Sequence, residues 1–342
     1  MRFMDFEYSH NDETSEICIE KYLGSDTVVN IPEKIDNLPV TKIGENAFEH
    51  CDSLISVTIP DSVRKIDEGT FSGCSKLTSV TIPDSVTEIG NWAFSGCSSL
   101  TSITIPNSVR KIGSGAFSGC SLLPSIIIPD LVTKIGESTF ENCSSLESVT
   151  IPNYVMEIGS KAFSCCSKLT SVTIPDSVEE IGEDAFIDCD SLESIIIPDS
   201  VRKIGSWAFG GCSSLESVTI LSSSITFGND DDWGLGGKGV FSGCSKLTSI
   251  NIPDSVTKIG DETFRDCSLL TSITIPDSVT EIGSWAFSDC SSLTSVTIPD
   301  SVRKIGSGAF KGCTSLKTIS IPKHLEGSFA GLDSKTKIIK RN

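Results

Sequence analysis

Read as apolar and polar positions, the chain repeats. Leucine falls at 54, 77, 100, 123, 146, 169, 192 and 215, always 23 residues apart, and after a gap of 32 resumes at 247, 270, 293 and 316. A fixed period of this size is the mark of a solenoid, in which each unit closes its core only against its neighbours. In the copy LTSVTIPDSVTEIGNWAFSGC (Leu77 to Cys97), Leu77, Val80 and Ile82 alternate with Ser79 and Thr81, which predicts a short strand. Pro83 has no N–H and ends that strand. Val86 and Ile89 supply a second apolar side, Gly90 is expected in a positive-φ turn, and Ala93, Phe94 and Cys97 are expected to form one helical turn that drops the phenylalanine inward. Asp67 replaces that glycine in one coil and, as Asp, tolerates the same conformation.

Phenylalanine recurs at 48, 71, 94, 117, 140, 163, 186, 209, 241, 264, 287 and 310, so stacked coils make one aromatic spine. The expected fold class is therefore a repeat solenoid: a β-strand plus a short turn or helical segment per 23-residue coil, a parallel sheet on one face, and a cap at each end. The boundaries are an N-terminal cap over 1–40, twelve coils over 41–322 with an insertion at 222–240, and a C-terminal cap over 323–342. Within the first cap, Ile17 to Tyr22 is expected to pair as a hairpin with Thr27, Val28 and Val29. Within the last, Phe329 stands where a final spine residue falls, and Thr336 to Lys340 is expected to close the sheet with a lysine-rich edge.

The block CSxLTSVTIPDSVxxIGxxAFxGC closely resembles the BspA-type leucine-rich repeat of bacterial surface antigens and of protozoan families, from about Val28 to Ile339. The entry is also similar: Tyr22, Leu23 and Gly24, then Ile31 and Pro32, then Pro39 to Gly44. The resemblance implies a leucine-rich-repeat fold and a role in adhesion, with a host matrix or cell-surface protein as partner and a surface or secreted location. Against that location, the first sixteen residues turn acidic before any apolar run, so no export signal is read.

Candidate binding residues come from outward positions and from breaks in the period. Serine fills the first outward strand position in eleven of twelve coils and threonine the second in eight. This gives two hydroxyl files, represented by Ser79, Thr81, Ser102, Thr104, Ser148, Thr150, Ser171, Thr173, Ser217 and Thr219. Threonine also suits any exposed strand, so the files are equally an ordinary solvated face. An ice-binding lattice is a remoter reading, weakened by Ile127, Ile196 and Asn251 within the threonine file. The coil that begins at Leu215 carries nine extra residues, and Asp230, Asp231, Asp232 and Trp233 there join charge to an aromatic anchor. Those aspartates lack the alternating spacing of a calcium loop.

Twelve of the fourteen cysteines share one register of the repeat. A packed ladder of free thiols is expected over disulfides, because stacked Cβ vectors run parallel, and over zinc, which needs four converging ligands. Cys165 replaces the glycine of the Ser-Gly-Cys turn and is expected to be exposed. Asp after the strand proline is read as a turn residue. Lys65, Glu88 and Lys111 alternate in sign between neighbouring coils. Trp92, Trp207 and Trp285 each are expected to pack on their own turn.

Composition narrows the function. The formal charge is −18, with 45 acidic against 27 basic residues, which argues against nucleic acid. No apolar run is long enough for a membrane helix. Three histidines and no nucleophile-elbow, zinc-helix, phosphate-loop or dinucleotide motif leave no catalytic, metal or cofactor set. The expectation is a non-enzymatic protein that binds a protein or glycan through its strand face, with an intracellular interaction scaffold as the alternative and a structural or ice-interacting repeat as the outsider. The oligomeric state is not fixed by any of these patterns.

Overall fold

The computed structural model of the chain describes residues 2–11, 13, 15–227, 238–325, 332 and 334–341. It divides into two compact units, 1–169 and 170–342. Both are stacks of parallel-stranded coils with a rise of about 23 residues per turn and about 13 coils along the chain.

One coil shows how the sequence builds the rest. Ser79–Thr81 is a three-residue strand that buries Val80 and exposes its flanks. Pro83 closes a reverse turn through the amide of Val86 (3.1 Å), while the hydroxyl of Ser85 donates to Val63 O of the preceding coil at 2.6 Å. The chain then enters a second, two-residue strand, Glu88–Ile89. A second parallel sheet therefore runs beside the first, where the sequence had indicated only a second apolar side.

The third side is a run of turns instead of the expected helical turn. Cys97 N donates to Phe94 O (3.2 Å) and Leu100 N to Cys97 O (3.0 Å), but Trp92 and Gly96 take positive φ (49° and 70°) and stop any right-handed run between them. Among the described residues the helical element is the short 3-10 segment Lys323–Leu325.

Gly90 departs from expectation too, because the positive φ lies two and six residues later. Its requirement is space: a Cβ there would sit 2.6 Å from the carbonyl carbon of Asp67. Asp67 likewise takes no positive φ; it is buried and its carboxylate reaches Lys42 and Lys65 at 2.9 and 3.1 Å.

In the first unit, Phe6–Asn11 pairs antiparallel with Glu16–Tyr22, and Glu16–Tyr22 pairs parallel with Leu38–Ile43. The expected hairpin is thus formed with the upstream strand. Val28–Asn30 instead adds to Ser56–Thr58, its Val29 facing Val57, because that register buries the valine. Tyr22 stacks on Phe48 at 5.2 Å and so starts the aromatic column.

Both sheets of this unit are interrupted between the coil of Ser102 and that of Ser125. Pro124 explains the first gap. In other coils the residue after leucine donates to its counterpart one coil back, as Thr101 N does to Thr78 O (3.2 Å), and proline has no such donor. The turn side stays joined, with Phe117 N bonded to Thr139 O at 2.9 Å.

In the second unit, Ser194–Ile197, Ser217–Ile220 and Ser249–Ile250 form one sheet, and Ser295–Thr297, Thr318–Pro322 and Lys337–Arg341 another. The closing strand is therefore the expected lysine-rich one. Thr226–Phe227 pairs with Lys203–Ile204 in the ordinary 23-residue register, so the chain keeps the coil through Phe227 and resumes it by Gly239. The extra residues enter between those two points. Phe329 lies outside the described residues.

The core is the phenylalanine column. Centroids lie 5.0–5.7 Å apart from Phe48 to Phe163 and 5.2–5.8 Å apart from Phe186 to Phe310. Among the described residues, which include all fourteen cysteines, every cysteine is free, and eleven are buried.

Candidate functional site

The strand face is built by alternation. In each coil the inward Val or Ile locks the strand to the core, which forces its serine and threonine outward. Register then aligns them: Ser56 faces Ser79, Thr58 faces Thr81, and Ser79 faces Ser102. Ser148 and Thr150 pair with Ser125 and Ile127, and Ser217 and Thr219 with Ser194 and Ile196. Ser79, Thr81, Ser102, Thr104, Ser148, Thr150, Ser171, Thr173, Ser217 and Thr219 are all exposed.

Neighbouring hydroxyls behave differently. Ser98 Oγ donates to Ser75 O (3.3 Å) and Thr78 Oγ1 to Ile55 O (3.1 Å), so those files tie coil to coil. Among the described residues, none of the ten strand-face hydroxyls named above forms a hydrogen bond within the protein. Their donors and acceptors face solvent. Asp230, Asp231, Asp232 and Trp233 lie outside the described residues.

On the second sheet the outward file is charged. Glu88 pairs in register with both Lys65 and Lys111, at 3.8 and 2.8 Å. Glu157 meets Lys134, Glu180 meets Lys203, and Glu281 stands between Lys258 (3.6 Å) and Lys304 (2.7 Å). Burial pushes the Glu281 carboxyl up, but the hydrogen bond from Lys304 and the charges of both lysines outweigh it and hold it below the ordinary value. The alternation read from the sequence therefore neutralises this face pair by pair.

The tryptophans also pack across coils, and Trp207 lies against Gly210 of its own turn as well. Each takes positive φ, and the glycine of the following coil lies directly under its ring: Gly115 under Trp92, Gly239 under Trp207 and Gly308 under Trp285. A Cβ at Gly239 would come within 2.6 Å of Trp207. The signal was present in the sequence as glycine one coil after each tryptophan. Lys311 adds a cation 4.8 Å above the Trp285 ring.

The thiols are equally structural. Ten of the eleven buried ones donate to the carbonyl of the phenylalanine in the coil before, as Cys120 does to Phe94 O at 3.3 Å. Cys165 is half-buried, in the left-handed region at φ 57°. Cys51, expected in the buried file, is half-buried, and its interaction with the neighbouring Cys74 thiol holds it below the ordinary value.

A family model for the BspA type leucine rich repeat region, in six copies, matches residues 41–170, 111–230 and 237–340. The chain belongs to that family. A leucine-rich repeat protein from Bacteroides ovatus shares 32% identity over the full length of both chains, with a TM-score of 0.74. A leucine rich cell surface protein from Faecalibacterium prausnitzii shares 31% over 93% of each chain, with a TM-score of 0.64. The leucine rich repeat protein of T. pallidum shares 34% over 56% of this chain and 90% of its own, with a TM-score of 0.52. No curated protein matches. As a BspA-type chain it has the leucine-rich-repeat fold, a scaffold suited to protein binding, and among the described residues no helix is long and apolar enough to cross a membrane.

Proposed function

We propose that this BspA-type chain is a non-enzymatic adhesion or recognition protein that binds a protein or glycan partner through the Ser/Thr strand face. The observation that carries this reading is the division of labour among hydroxyls: those at the coil junctions bond to the preceding coil, while the ten strand-face hydroxyls named above stay unpaired and within each sheet are held in register. Repeated, aligned hydroxyls suit an extended partner that engages several coils at once, so that weak contacts add through avidity. The segment Asp230 to Trp233 is a second candidate by its chemistry alone, three carboxylates and an aromatic. A cell-surface relative at 31% identity supports display outside the cell.

The test is a binding screen of the intact chain against extracellular matrix proteins and a glycan array. It is repeated with Thr81→Lys, Thr104→Lys and Thr150→Lys combined. These positions are exposed, so the fold is retained, and loss of the captured ligand is expected. A ligand that binds the triple variant unchanged removes the strand face from the reading.

A further inference from the structure

The chain solves one electrostatic problem internally at one place and leaves it open at another. Lys42 and Lys65 are register partners in the second sheet, and the buried Asp67 carboxylate sits between their ammonium groups. The next like-charged step is Lys111 to Lys134. There the position equivalent to Asp67 is Gly136, and each lysine holds only the glutamate on its far side, Glu88 or Glu157, at 2.8 Å.

This step is also where both sheets are interrupted while the turn side stays bonded. The result is a cleft of about 310 Å³ whose lining includes Arg110, Lys111, Thr133, Lys134 and Gly136. At Gly90, Gly113, Gly159, Gly205, Gly283 and Gly306 the coil glycine is pressed on the preceding coil, with a Cβ at Gly159 only 2.8 Å from Gly136 C; at Gly136 the nearest atoms are 3.3–3.4 Å away. Among the described residues no carboxylate pairs with Arg110. Asn107 stands where most coils carry aspartate, so negative charge is thinned on the Arg110 side of the cleft, while Asp130 keeps it on the Lys134 side.

Beside the cleft the repeat serine is lost twice. That serine ties coils together, as Ser108 does to Val86 O at 2.6 Å. Leu131 and Tyr154 replace it in the next two coils and are 46% and 68% exposed, and Met156, whose amide bonds Thr133 O, is 55% exposed. Two coils thus give up a stabilising hydrogen bond and present large apolar side chains to water. Aromatic, Met and Arg side chains together are the usual anchors of a protein interface.

We propose that this cleft and the Leu131–Tyr154–Met156 group dock an acidic protein segment, a carboxylate entering between Lys111 and Lys134 as Asp67 does between Lys42 and Lys65, and an adjacent aliphatic or aromatic side chain covering Tyr154. The surface lies off the Ser/Thr strand face and does not depend on it.

The probe is a fluorescent peptide alternating Glu and Leu, compared by anisotropy with its Lys-Leu and Glu-Ser counterparts at low and high salt. Three variants restore what other coils already carry, so each keeps the fold: Gly136→Asp, which supplies the carboxylate internally; Arg110→Thr; and Leu131→Ser with Tyr154→Ser and Met156→Thr. The Glu-Leu peptide binds the wild-type chain best, salt weakens it, and each variant loses about ten-fold or more. Absence of binding, equal binding of the Lys-Leu peptide, or unchanged binding by Gly136→Asp overturns the proposal. So does a wild-type dimer that the triple variant dissociates, which would make a second copy the occupant.

Discussion

The thiol of Cys97 donates to the carbonyl of Phe71 in the preceding coil at 3.2 Å. That carbonyl also accepts the amide of Cys74 (3.2 Å), so it is not orphaned when the thiol goes. Cys97→Ala is therefore expected to cost only about 1–2 kcal/mol, from lost packing and one weak bond. Under native conditions a thiol reagent should reach Cys51 and Cys165 first. Cys18 is half-buried but slow, since burial and Glu20 push its thiol up to about 12. Denaturant alone should expose all fourteen, and a requirement for reductant would contradict the free-thiol ladder.

Those buried thiols make the fold sensitive to alkali. Burial raises Cys97 and Cys143 from 9.0 to about 12. Between those values the unfolded chain has lost protons that the folded one keeps, so stability falls as pH rises. Each such thiol contributes up to about 1.4 kcal/mol per pH unit in that window and nothing below it. Urea midpoints from pH 8 to 11, about the accessible part of the window, should decline less steeply in Cys97→Ala than in the wild type. Parallel curves would show that this thiol does not contribute.

Two glycines of the same register should respond differently to alanine. At Gly113 a Cβ lies 2.6 Å from Gly90 C, whereas at Gly136 the closest atom is 3.3 Å away. Gly113→Ala is expected to cost about 1–3 kcal/mol through overpacking, and Gly136→Ala well under half of that. Equal losses in thermal melts would argue that the cleft closes in solution.

Asp67→Gly restores the common residue of the repeat yet leaves Lys42 facing Lys65. Asp67 raises the pKa of both lysines, chiefly by direct hydrogen bonding, and their side chains are 52% and 45% exposed, so water screens much of the loss. A loss of about 1 kcal/mol at low ionic strength is expected, shrinking at high salt. A cost independent of salt would assign Asp67 a packing role instead.

Phe94 stacks between Phe71 (5.4 Å) and Phe117 (5.5 Å). Phe94→Ala is expected to cost about 3–5 kcal/mol, and because each coil leans on its neighbours, the damage should stay local. Hydrogen exchange should accelerate first at the amides of Phe71 and Phe94, which bond to Ala93 O and Ala116 O. Uniform acceleration across the first unit would mean that it melts as one body.

What the sequence determined is what the period repeats. Leu77, Val80, Ile82 and Phe94 announce an inward file because apolar spacing of 2 and a 23-residue return are properties of the string itself, and the hydroxyls of Ser79 and Thr81 follow as its complement. The tertiary structure decided everything that depends on the neighbour 23 residues away. Gly90 looks like a turn glycine in one dimension, and only the stacked backbone of Asp67 shows that it is there for space. Trp92 needs Gly115, Asp67 needs two lysines, and the opening between Lys111 and Lys134 lies where both sheets are interrupted at once. These are relations between coils, and a linear chain carries the residues without the contact that gives them meaning.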